Sequence, residues 1–372
     1  MKVQLSDVME GMKEGLTTKE LAAKYGVQES TIRNRKRQLA AQGFSPEHDM
    51  EKMTPEGFMV KGTSTLYGKD GEKKLQWVKT KMSQDEISIL YKEMVAGITE
   101  KIVRVKDTGF KTSVNELCNL YTITDYHLGM LAWGEESGED WDLKIAEDLL
   151  ISWFDYAVNM SPNAGSCVIN VLGDFLHTDG LTPVTPASGH VLDADSRYQK
   201  TVRVAIKLLR FMIGRAMESH EQVYVVMAQG NHDESGAIWM TELLHELYAD
   251  QPRVTVERNP DPYYCYEFGK TSLFFTHGHK ANFARVESTM ISKYREVFGR
   301  TQYSYCHLGH FHHHKSIESS NMIVEQHRTL AAKDAYASRG GWMSGRSAYV
   351  ITYHKSYGEV SRVSISPEML KG

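Results

Sequence analysis

Short apolar runs alternate with longer amphipathic stretches in the C-terminal two thirds of the chain. The run CNLYTIT is followed by a helical pattern over about 141–160, CVINVLG by another over about 196–219, and VYVVMAQG comes next. This alternation predicts parallel strand–helix–strand crossovers and an α/β fold. The later runs predict strands that pair antiparallel, namely YYCYEFGKTSLFFT, YSYCHLG and SAYVITYHKSYGEVSRVSI. We therefore expect one α/β domain over residues 113–372.

Residues 17–43 show helical periodicity in two short segments. Thr17 and Glu20 have capping-box spacing, so a helix should begin near Thr17 or Thr18, and Gly26 can adopt the left-handed conformation that ends it. A second helix should begin near Ser30. The positions expected to face inward are Leu21, Ala22, Tyr25, Ile32 and Leu39. Two short helices joined by a glycine turn predict a helix-turn-helix over residues 1–45.

The second of these helices is basic, and its first turns could reach base edges in a major groove. The stretch resembles the helix-turn-helix segments of resolvases and phage regulators, with Ala22, Gly26 and Ile32 at the matching positions, although Leu39 lies one turn late. The candidate DNA-contacting residues are Ser30, Thr31, Arg33, Asn34, Arg35, Lys36 and Arg37. The alternative is a helical hairpin with a solvated basic face that serves as an oligomer contact, so a homodimer is left open.

Residues 46–112 form a predicted linker or accessory region. The sequence STLYGKDGEKKLQWVKT predicts a β-hairpin with Lys69-Asp70-Gly71 as its turn, and an amphipathic helix is expected from about Ser83. Lysines surround Trp77 and could touch nucleic acid (Lys73, Lys74, Lys79 and Lys81). We favour the alternative that they form a solvated face beside a packed tryptophan.

Composition excludes several classes of protein. The 372 residues are 41% apolar and 24% charged, as in ordinary globular proteins, and no run of about 18 apolar residues predicts a membrane span. The N-terminus lacks the apolar segment of a secretory signal. The cysteines are scattered without a CxxC pair, which favours a reducing, cytoplasmic location: Cys118, Cys167, Cys265 and Cys306.

The net charge of −4 hides an asymmetry between two parts of the chain. Residues 1–111 carry 20 basic and 16 acidic side chains, a balance of +4, whereas the remainder has 23 and 31, a balance of −8. A basic N-terminal part favours a polyanionic partner, and an acidic domain that handles a polyanion needs cations of its own.

Five groups of polar residues each follow an apolar run in the predicted α/β domain. They are Asp125-x-His127, Gly173-Asp174-x-x-His177, Gly230-Asn231-His232-Asp233, His277-Gly278-His279 and Gly309-His310-x-His312. Functional groups collect where strands end in open α/β sheets, so we expect these side chains to converge. Oxygen and nitrogen ligands without thiolates suit Mn²⁺, Fe or Zn²⁺. The sequence therefore predicts a centre of two divalent metal ions.

These five blocks, in this order, resemble those of the calcineurin-like metallophosphoesterases over about residues 115–355. The resemblance implies a four-layer α/β/β/α metallophosphoesterase sandwich, here preceded by a small helical helix-turn-helix domain. It also implies a ligand set of Asp125, His127 and His312 on the first metal, Asp174 as the bridge, and Asn231, His277 and His310 on the second. His279 is an alternative ligand in place of His277. We favour His277 because His277 directly follows the strand. The resemblance favours Mn²⁺, and ligand type leaves Fe and Zn²⁺ open.

The same resemblance implies catalytic roles for residues that are not metal ligands. His232 would be the general acid or stabilise the transition state, and Asp233 would orient its imidazole. A hydroxide bridging the two metal ions would attack phosphorus in line. His177, three residues after Asp174, resembles a residue of the SbcD-like DNA-repair nucleases that contacts the scissile phosphate. The protein-phosphatase signature GDxxDRG is replaced here by GDFLHTDG.

The leading hypothesis is a metal-dependent phosphodiesterase, most simply a DNA nuclease, whose helix-turn-helix binds DNA. One alternative is a phosphodiesterase for a small cyclic nucleotide or dinucleotide, with the helix-turn-helix as a regulatory element. A second alternative is a non-catalytic DNA-binding regulator. The combination of domains also resembles proteins encoded by bacteriophages, which implies the host cytoplasm. Exonuclease and endonuclease action, and single- and double-strand preference, are left open.

Overall fold

The computed structural model describes residues 3–54, 58–68, 72–82, 92, 114–186, 189–281, 283–334, 338, 340–341 and 343–371. The chain divides into two compact units, Met1–Glu93 and Met94–Gly372. We call them the N-terminal and C-terminal units. The proposed boundaries at residues 45 and 112 remain predictions, as does the assignment of a separate function to each segment.

Three helices form the core of the N-terminal unit. They are α1 (Leu5–Lys13), α2 (Thr18–Tyr25) and α3 (Glu29–Ala41). Thr17 and Glu20 form the predicted capping box, and Gly26 ends α2 with a φ of 63°. The predicted inward residues Leu21, Ala22, Ile32 and Leu39 are buried against residues of α1, with Tyr25 packed beside them. Helix α1 was not predicted, although its apolar residues Leu5, Val8, Met9 and Met12 have helical spacing.

A short β-hairpin and a long one follow the helices. Strands β1 (Phe44–Ser45) and β2 (Met50–Glu51) pair antiparallel around a short 3-10 helix (Pro46–His48). Strands β3 (Phe58–Tyr67) and β4 (Lys73–Met82) form the predicted long hairpin. Its predicted turn Lys69-Asp70-Gly71 and the helix predicted from about Ser83 lie outside the described residues. Trp77 is 56% exposed, so the expectation that it packs is wrong.

The first sheet of the C-terminal unit has six strands in the order β15-β14-β5-β6-β7-β8. Strands β5 to β8 are parallel, as the strand–helix alternation predicted, and β14 and β15 add antiparallel to one edge. The strands are β5 (Val114–Ile123), β6 (Ala164–Val171), β7 (Gln222–Met227), β8 (Val254–Val256), β14 (Ala348–His354) and β15 (Gly358–Ile365).

The second sheet has five strands in the order β12-β13-β11-β10-β9. They are β9 (Tyr264–Phe268), β10 (Thr271–Phe275), β11 (Tyr303–Leu308), β12 (Lys315–Glu318) and β13 (Ile323–Gln326). The expectation that all later strands pair antiparallel is wrong, because β10, β11 and β13 are parallel. Parallel neighbours need a crossover, and the unpredicted helices between β10 and β11 provide it.

Helices cover the outer faces of the two sheets. They are α4 (Gly134–Ser137), α5 (Leu143–Met160), α6 (Tyr198–Met217), α7 (Glu234–Leu247), α8 (Phe283–Lys293) and α9 (Arg295–Arg300), and a 3-10 helix (Pro367–Leu370) follows the last strand. Helices α5 and α6 bury their apolar faces on the first sheet, and α8 does so on the second. Alternation along β5 decides the layers: Leu120 faces the second sheet, while Tyr121 and Ile123 face the helices. The predicted four-layer α/β/β/α sandwich is confirmed.

None of the helices in the described residues has the length and hydropathy that a bilayer span requires.

Candidate metal centre

Polar side chains from the ends of five strands converge between the two sheets. Strands β5, β6 and β7 are parallel neighbours, and so are β10 and β11. Within each sheet the carboxyl ends of these strands therefore lie on the same side. The residues that follow these ends form two adjacent triplets, one of Asp125, His127 and His312 and the other of Asp174, His277 and His310. We call these six residues the strand-end cluster.

Short distances join the members of the first triplet. Nε2 of His312 lies 3.1 Å from Oδ1 of Asp125. Nε2 of His312 also lies 3.3 Å from Nε2 of His127. Since both imidazoles turn a ring nitrogen toward the same carboxylate, three possible ligand atoms share one small volume.

The second triplet is centred on His277. Its Nε2 lies 3.2 Å from Oδ2 of Asp174 and 3.9 Å from Oδ1 of Asp125, so it links the two triplets. The Oδ1 atom of Asn231 lies 3.2 Å from the same Nε2. His277 Nδ1 donates to the carbonyl of Leu172 at 2.8 Å, which leaves Nε2 as the nitrogen that faces the carboxylates. All seven predicted ligands are thus close together, and His279 lies beside His277 rather than in either triplet.

The burial and charge of these ligand atoms indicate whether a metal ion fits among them. Oδ1 of Asp125 is buried and, within the described residues, has no hydrogen-bond donor. Burial opposes protonation of His277, but the carboxylates of Asp174 and Asp125 outweigh it and raise the pKa of His277 to about 10. The site therefore attracts positive charge. Because buried charges need partners, divalent cations with mixed nitrogen and oxygen ligands fit this donor set.

The backbone is strained where the cluster is built. Among the described residues, six non-glycine residues have a positive φ. Five of the six belong to the strand-end cluster: Asp125 (50°), His127 (48°), Asp174 (51°), His310 (73°) and His312 (55°). Such conformations cost about 1–3 kcal/mol each and persist only where the surrounding structure imposes them. The concentration of strain here indicates a functional site.

Glycines in the motifs allow the close approach of these strand ends. A Cβ on Gly230 would lie 2.0 Å from Oδ1 of Asp174, and one on Gly309 would lie 2.0 Å from Oγ1 of Thr124. Gly173 has a φ of 87°, and its Cβ would lie 2.5 Å from Nδ1 of His277. No larger residue fits these three positions without moving a member of the cluster.

His177 and His232 lie beside the first triplet. Nδ1 of His232 hydrogen bonds to the carbonyl of His177 at 3.0 Å, and its ring centroid is 4.7 Å from that of His127. Nδ1 of His177 lies 3.3 Å from Nδ1 of His127. Burial, with the nearby His232, lowers the pKa of His177 to about 3. His177 is therefore a neutral, buried imidazole next to His127.

Asp233 does not orient His232 as expected. Its Oδ1 accepts from the backbone N–H of Asp174 at 3.1 Å, and its Oδ2 accepts from that of Leu176 at 3.0 Å. Oδ1 also accepts from the backbone N–H of Gly230 at 3.2 Å. A buried carboxylate satisfies backbone donors wherever the chain turns tightly. Asp233 thus holds two loops of the site together, while a backbone carbonyl orients His232.

Two threonines position Asp125, and neither was predicted from the sequence. Thr124 donates its hydroxyl to Oδ2 of Asp125 at 2.6 Å, and Thr329 donates to the Asp125 carbonyl at 2.6 Å. The backbone N–H of His310 donates to the same Oδ2 at 2.8 Å. Thr124 could have been noticed as the residue between a strand and a candidate ligand, but Thr329 is far away in the sequence.

The predicted DNA-contacting residues all lie on α3. Ser30, Arg33, Asn34 and Arg37 are exposed, while Thr31, Arg35 and Lys36 are half-buried. Arg33 pairs with Glu29 at 2.8 Å and Lys36 with Glu47 at 2.8 Å. Two of the seven residues are thus already engaged with carboxylates of the same unit, and contact with DNA stays a prediction.

A second buried histidine–carboxylate group lies elsewhere in the C-terminal unit. It consists of His307, Glu325 and His327, and we call it the Glu325 cluster. Nδ1 of His307 and Nε2 of His327 lie 2.9 Å apart. Arg362 binds both oxygens of Glu325, one through Nη1 and the other through Nη2 at 2.8 Å. This carboxylate already has a cationic partner.

Comparison with known proteins finds similarity only among solved structures. No protein-family model matches the chain, and no curated protein matches it. A predicted phosphoesterase from Streptococcus pneumoniae is 12% identical, with 68% of this chain and 91% of the other covered and a TM-score of 0.32. A dimetal phosphatase from Danio rerio is 9% identical, with 67% and 98% covered and a TM-score of 0.35. Vps29 complexed with zinc from Entamoeba histolytica is 10% identical, with 67% and 99% covered and a TM-score of 0.29.

Proposed function

We propose that this protein is a two-metal phosphodiesterase of the metallophosphoesterase class that acts on nucleic acid. The observation that carries the proposal is the strand-end cluster, in which two adjacent triplets of carboxylate and imidazole share the buried Asp125–His277 contact of 3.9 Å. Strained, buried ligand atoms without their own donors are expected where cations bind.

The residues that would hold the metal ions follow from the two triplets. Asp125, His127 and His312 would hold one ion, and His277 and His310 would hold the other together with Asn231. Asp174 would help to hold both ions. A bound pair of divalent cations supplies Lewis-acid stabilisation of phosphoryl oxygens and lowers the pKa of water. Mn²⁺ is the first ion to test.

The protein's own residues supply the remaining chemistry. His232 donates from Nδ1 to the His177 carbonyl, so Nε2 is the ring nitrogen left to exchange a proton with a leaving oxygen. Its backbone N–H donates to Oδ1 of Asp174 at 2.8 Å, which ties the acid to the metal ligands. His177 stays neutral and fixes both His232 and His127 by contact.

The nucleic-acid substrate is supported by the N-terminal unit. Helices α2 and α3 are joined by the Gly26 turn and expose Arg33, Asn34 and Arg37. Linking a nucleic-acid-binding unit to a catalytic unit raises the local substrate concentration. A DNA nuclease is the simplest enzyme with these two parts.

The test compares two substrates with Mn²⁺ present. Wild-type protein is incubated with circular and linear DNA, and separately with a small chromogenic phosphodiester. We expect DNA to be cut by the wild type and not by His232→Ala, which controls for contaminating nucleases. Cutting of the small diester alone would replace nucleic acid by a small phosphodiester as the substrate. Failure on both substrates, with metal bound, would contradict the enzymatic proposal.

A further inference from the structure

Positive charge in the N-terminal region is densest in the β3–β4 hairpin. Residues 1–57 contain nine basic and nine acidic side chains, and residues 83–111 contain five of each. Residues 58–82 contain six lysines against Asp70 and Glu72, a balance of +4. Residues 1–57 are neutral as a whole because the balance of +3 in residues 1–45 is offset by −3 in residues 46–57, and the hairpin adds +4.

The register of the hairpin places an exposed indole and a lysine on one face. Trp77 lies opposite Ser64, Leu75 opposite Leu66, and Lys79 opposite Gly62. Because side chains alternate along a strand, Leu75, Trp77 and Lys79 share this face. Leu66 belongs to the same face because it pairs with Leu75. These side chains are exposed, with 56% for Trp77, 54% for Leu66 and 48% for Leu75, and Lys79 is also exposed. We call it the Trp77 face.

The opposite face and one end of the hairpin are attached to the rest of the N-terminal unit. Gln76 donates to Oγ1 of Thr65 at 2.9 Å and to the carbonyl of His48 at 3.5 Å. Near the turn, Lys73 donates to the carbonyl of Asp49 at 2.8 Å, and Tyr67 hydrogen bonds to the Asp49 carboxylate. These contacts orient the hairpin and leave the Trp77 face open within the described part of its unit.

Lysines around a solvent-exposed indole favour a particular polyanion. Phosphate groups can pair with the lysine ammonium groups, and an unpaired base can stack on the indole. In a duplex the bases are already stacked and only their edges are accessible, so the indole would gain little there. An acidic peptide would match the charge but would leave the flat apolar surface without a counterpart.

We propose that the Trp77 face binds single-stranded nucleic acid, with Trp77 stacked on a base and the hairpin lysines in contact with phosphates. This deepens the proposed function, on which it rests for the class of substrate. The site is built from hairpin residues and includes none of the predicted DNA-contacting residues of α3 or of the strand-end cluster.

The experiment measures binding of a fluorescent oligothymidylate to the full-length protein in EDTA, so that hydrolysis plays no part. We expect Trp77→Ala to weaken binding about 5- to 150-fold, as for loss of one stacked base, and Trp77→Phe to retain most of the affinity. Lys79→Ala should lower the salt-dependence slope by about 0.7, as for one lost phosphate contact. The matched control is Trp239→Ala, a 50% exposed tryptophan of the C-terminal unit, which should leave binding unchanged.

Several results would overturn the proposal. Equal affinity of wild type, Trp77→Ala and Lys79→Ala would do so, provided that their circular dichroism spectra agree. A loss of duplex affinity in Trp77→Ala as large as its loss of single-strand affinity would also contradict it. Hydrolysis of the chromogenic diester by the wild type with Mn²⁺ reports on the catalytic proposal separately. Binding in EDTA without hydrolysis would refute the enzyme but keep the hairpin site, and the reverse result would refute only the site.

Discussion

The strand-end cluster and the Glu325 cluster contain the same residue types but differ in what balances their carboxylates. Oδ1 of Asp125 is buried without a donor among the described residues, and its neighbours are imidazole nitrogens. Both oxygens of Glu325 are bound by Arg362. A histidine–carboxylate group therefore indicates a metal site only where the protein itself leaves the negative charge unbalanced.

Backbone conformation separates the two clusters in the same way. Asp125, Asp174 and His310 have positive φ angles, whereas His307, Glu325 and His327 do not. His307 and Glu325 lie within paired strands, where the ladder imposes extended geometry. Strain is thus present where ligands must point to a common centre and absent where side chains simply pack.

The largest expected effect tests the difference in metal binding between the strand-end cluster and the Glu325 cluster. Asp174→Asn should lose one metal ion or both and reduce phosphoesterase activity to background, because Asp174 is the carboxylate of the second triplet and lies 3.2 Å from His277, which links the two triplets. Metal content by mass spectrometry and turnover of both substrates are the measurements. Glu325→Gln is the matched control and should keep its metal and activity. Retained activity in Asp174→Asn on any substrate would remove Asp174 from the centre.

The next effect concerns stability rather than catalysis. Arg362→Ala should lower the free energy of unfolding by about 3–5 kcal/mol, because it leaves Glu325 buried without its cationic partner. Urea denaturation of the metal-free protein would measure the loss. Restoration of much of that stability in Arg362→Ala/Glu325→Gln would show that the unpaired charge is the cause. Loss of metal from Arg362→Ala without loss of stability would contradict the difference proposed between the two clusters.

A third effect should appear as a pH dependence of stability. Burial opposes ionisation of Glu325, but His327 and Arg362 outweigh it and lower the pKa of Glu325 to about 2. Since the folded pKa lies below that of an unfolded glutamate, the contribution is complete above about pH 5 and is lost as pH falls toward 2. It should be on the order of 3 kcal/mol. Glu325→Gln should show a shallower loss of stability over this range, and an identical slope would contradict the shift.

The smallest expected effect concerns the positioning of Asp125. Thr124→Val removes the hydroxyl that donates to Oδ2 of Asp125 at 2.6 Å and should weaken metal affinity about 10- to 100-fold. Thr124→Ser keeps the donor and should bind metal nearly as the wild type does. Calorimetric titration with Mn²⁺ would measure both. Equal affinities of the Val and Ser variants would show that the hydroxyl does not position Asp125.

Local signals predicted α2 and α3 of the N-terminal unit well. Thr17 with Glu20 indicated where α2 begins, and Gly26 indicated where it ends, because caps act on backbone groups within one turn. The same reasoning failed for Trp77, since whether a strand residue is packed depends on what covers its face. It also missed α8 and α9, whose patterns gave no sign that they join two parallel strands.

The strand-end residues themselves were predictable because each follows an apolar run, and the order of runs indicated one α/β domain. Their partners were not. Asp233 was expected to orient His232, yet it accepts three backbone N–H groups. Sequence spacing shows which residues are adjacent along the chain, but the direction of a buried carboxylate is decided by the donors that other segments bring to it.

The amino-acid sequence by itself determined the alternation of strands and helices, the helix caps and the identity of the candidate ligands, because these depend on neighbours within a few residues. Only the tertiary structure decided that His277 joins the two triplets, that Thr329 holds Asp125, and that Arg362 binds both oxygens of Glu325 while Oδ1 of Asp125 has no hydrogen-bond donor among the described residues. The physical reason is that charge balance and strain in a buried site depend on atoms that the fold alone brings together.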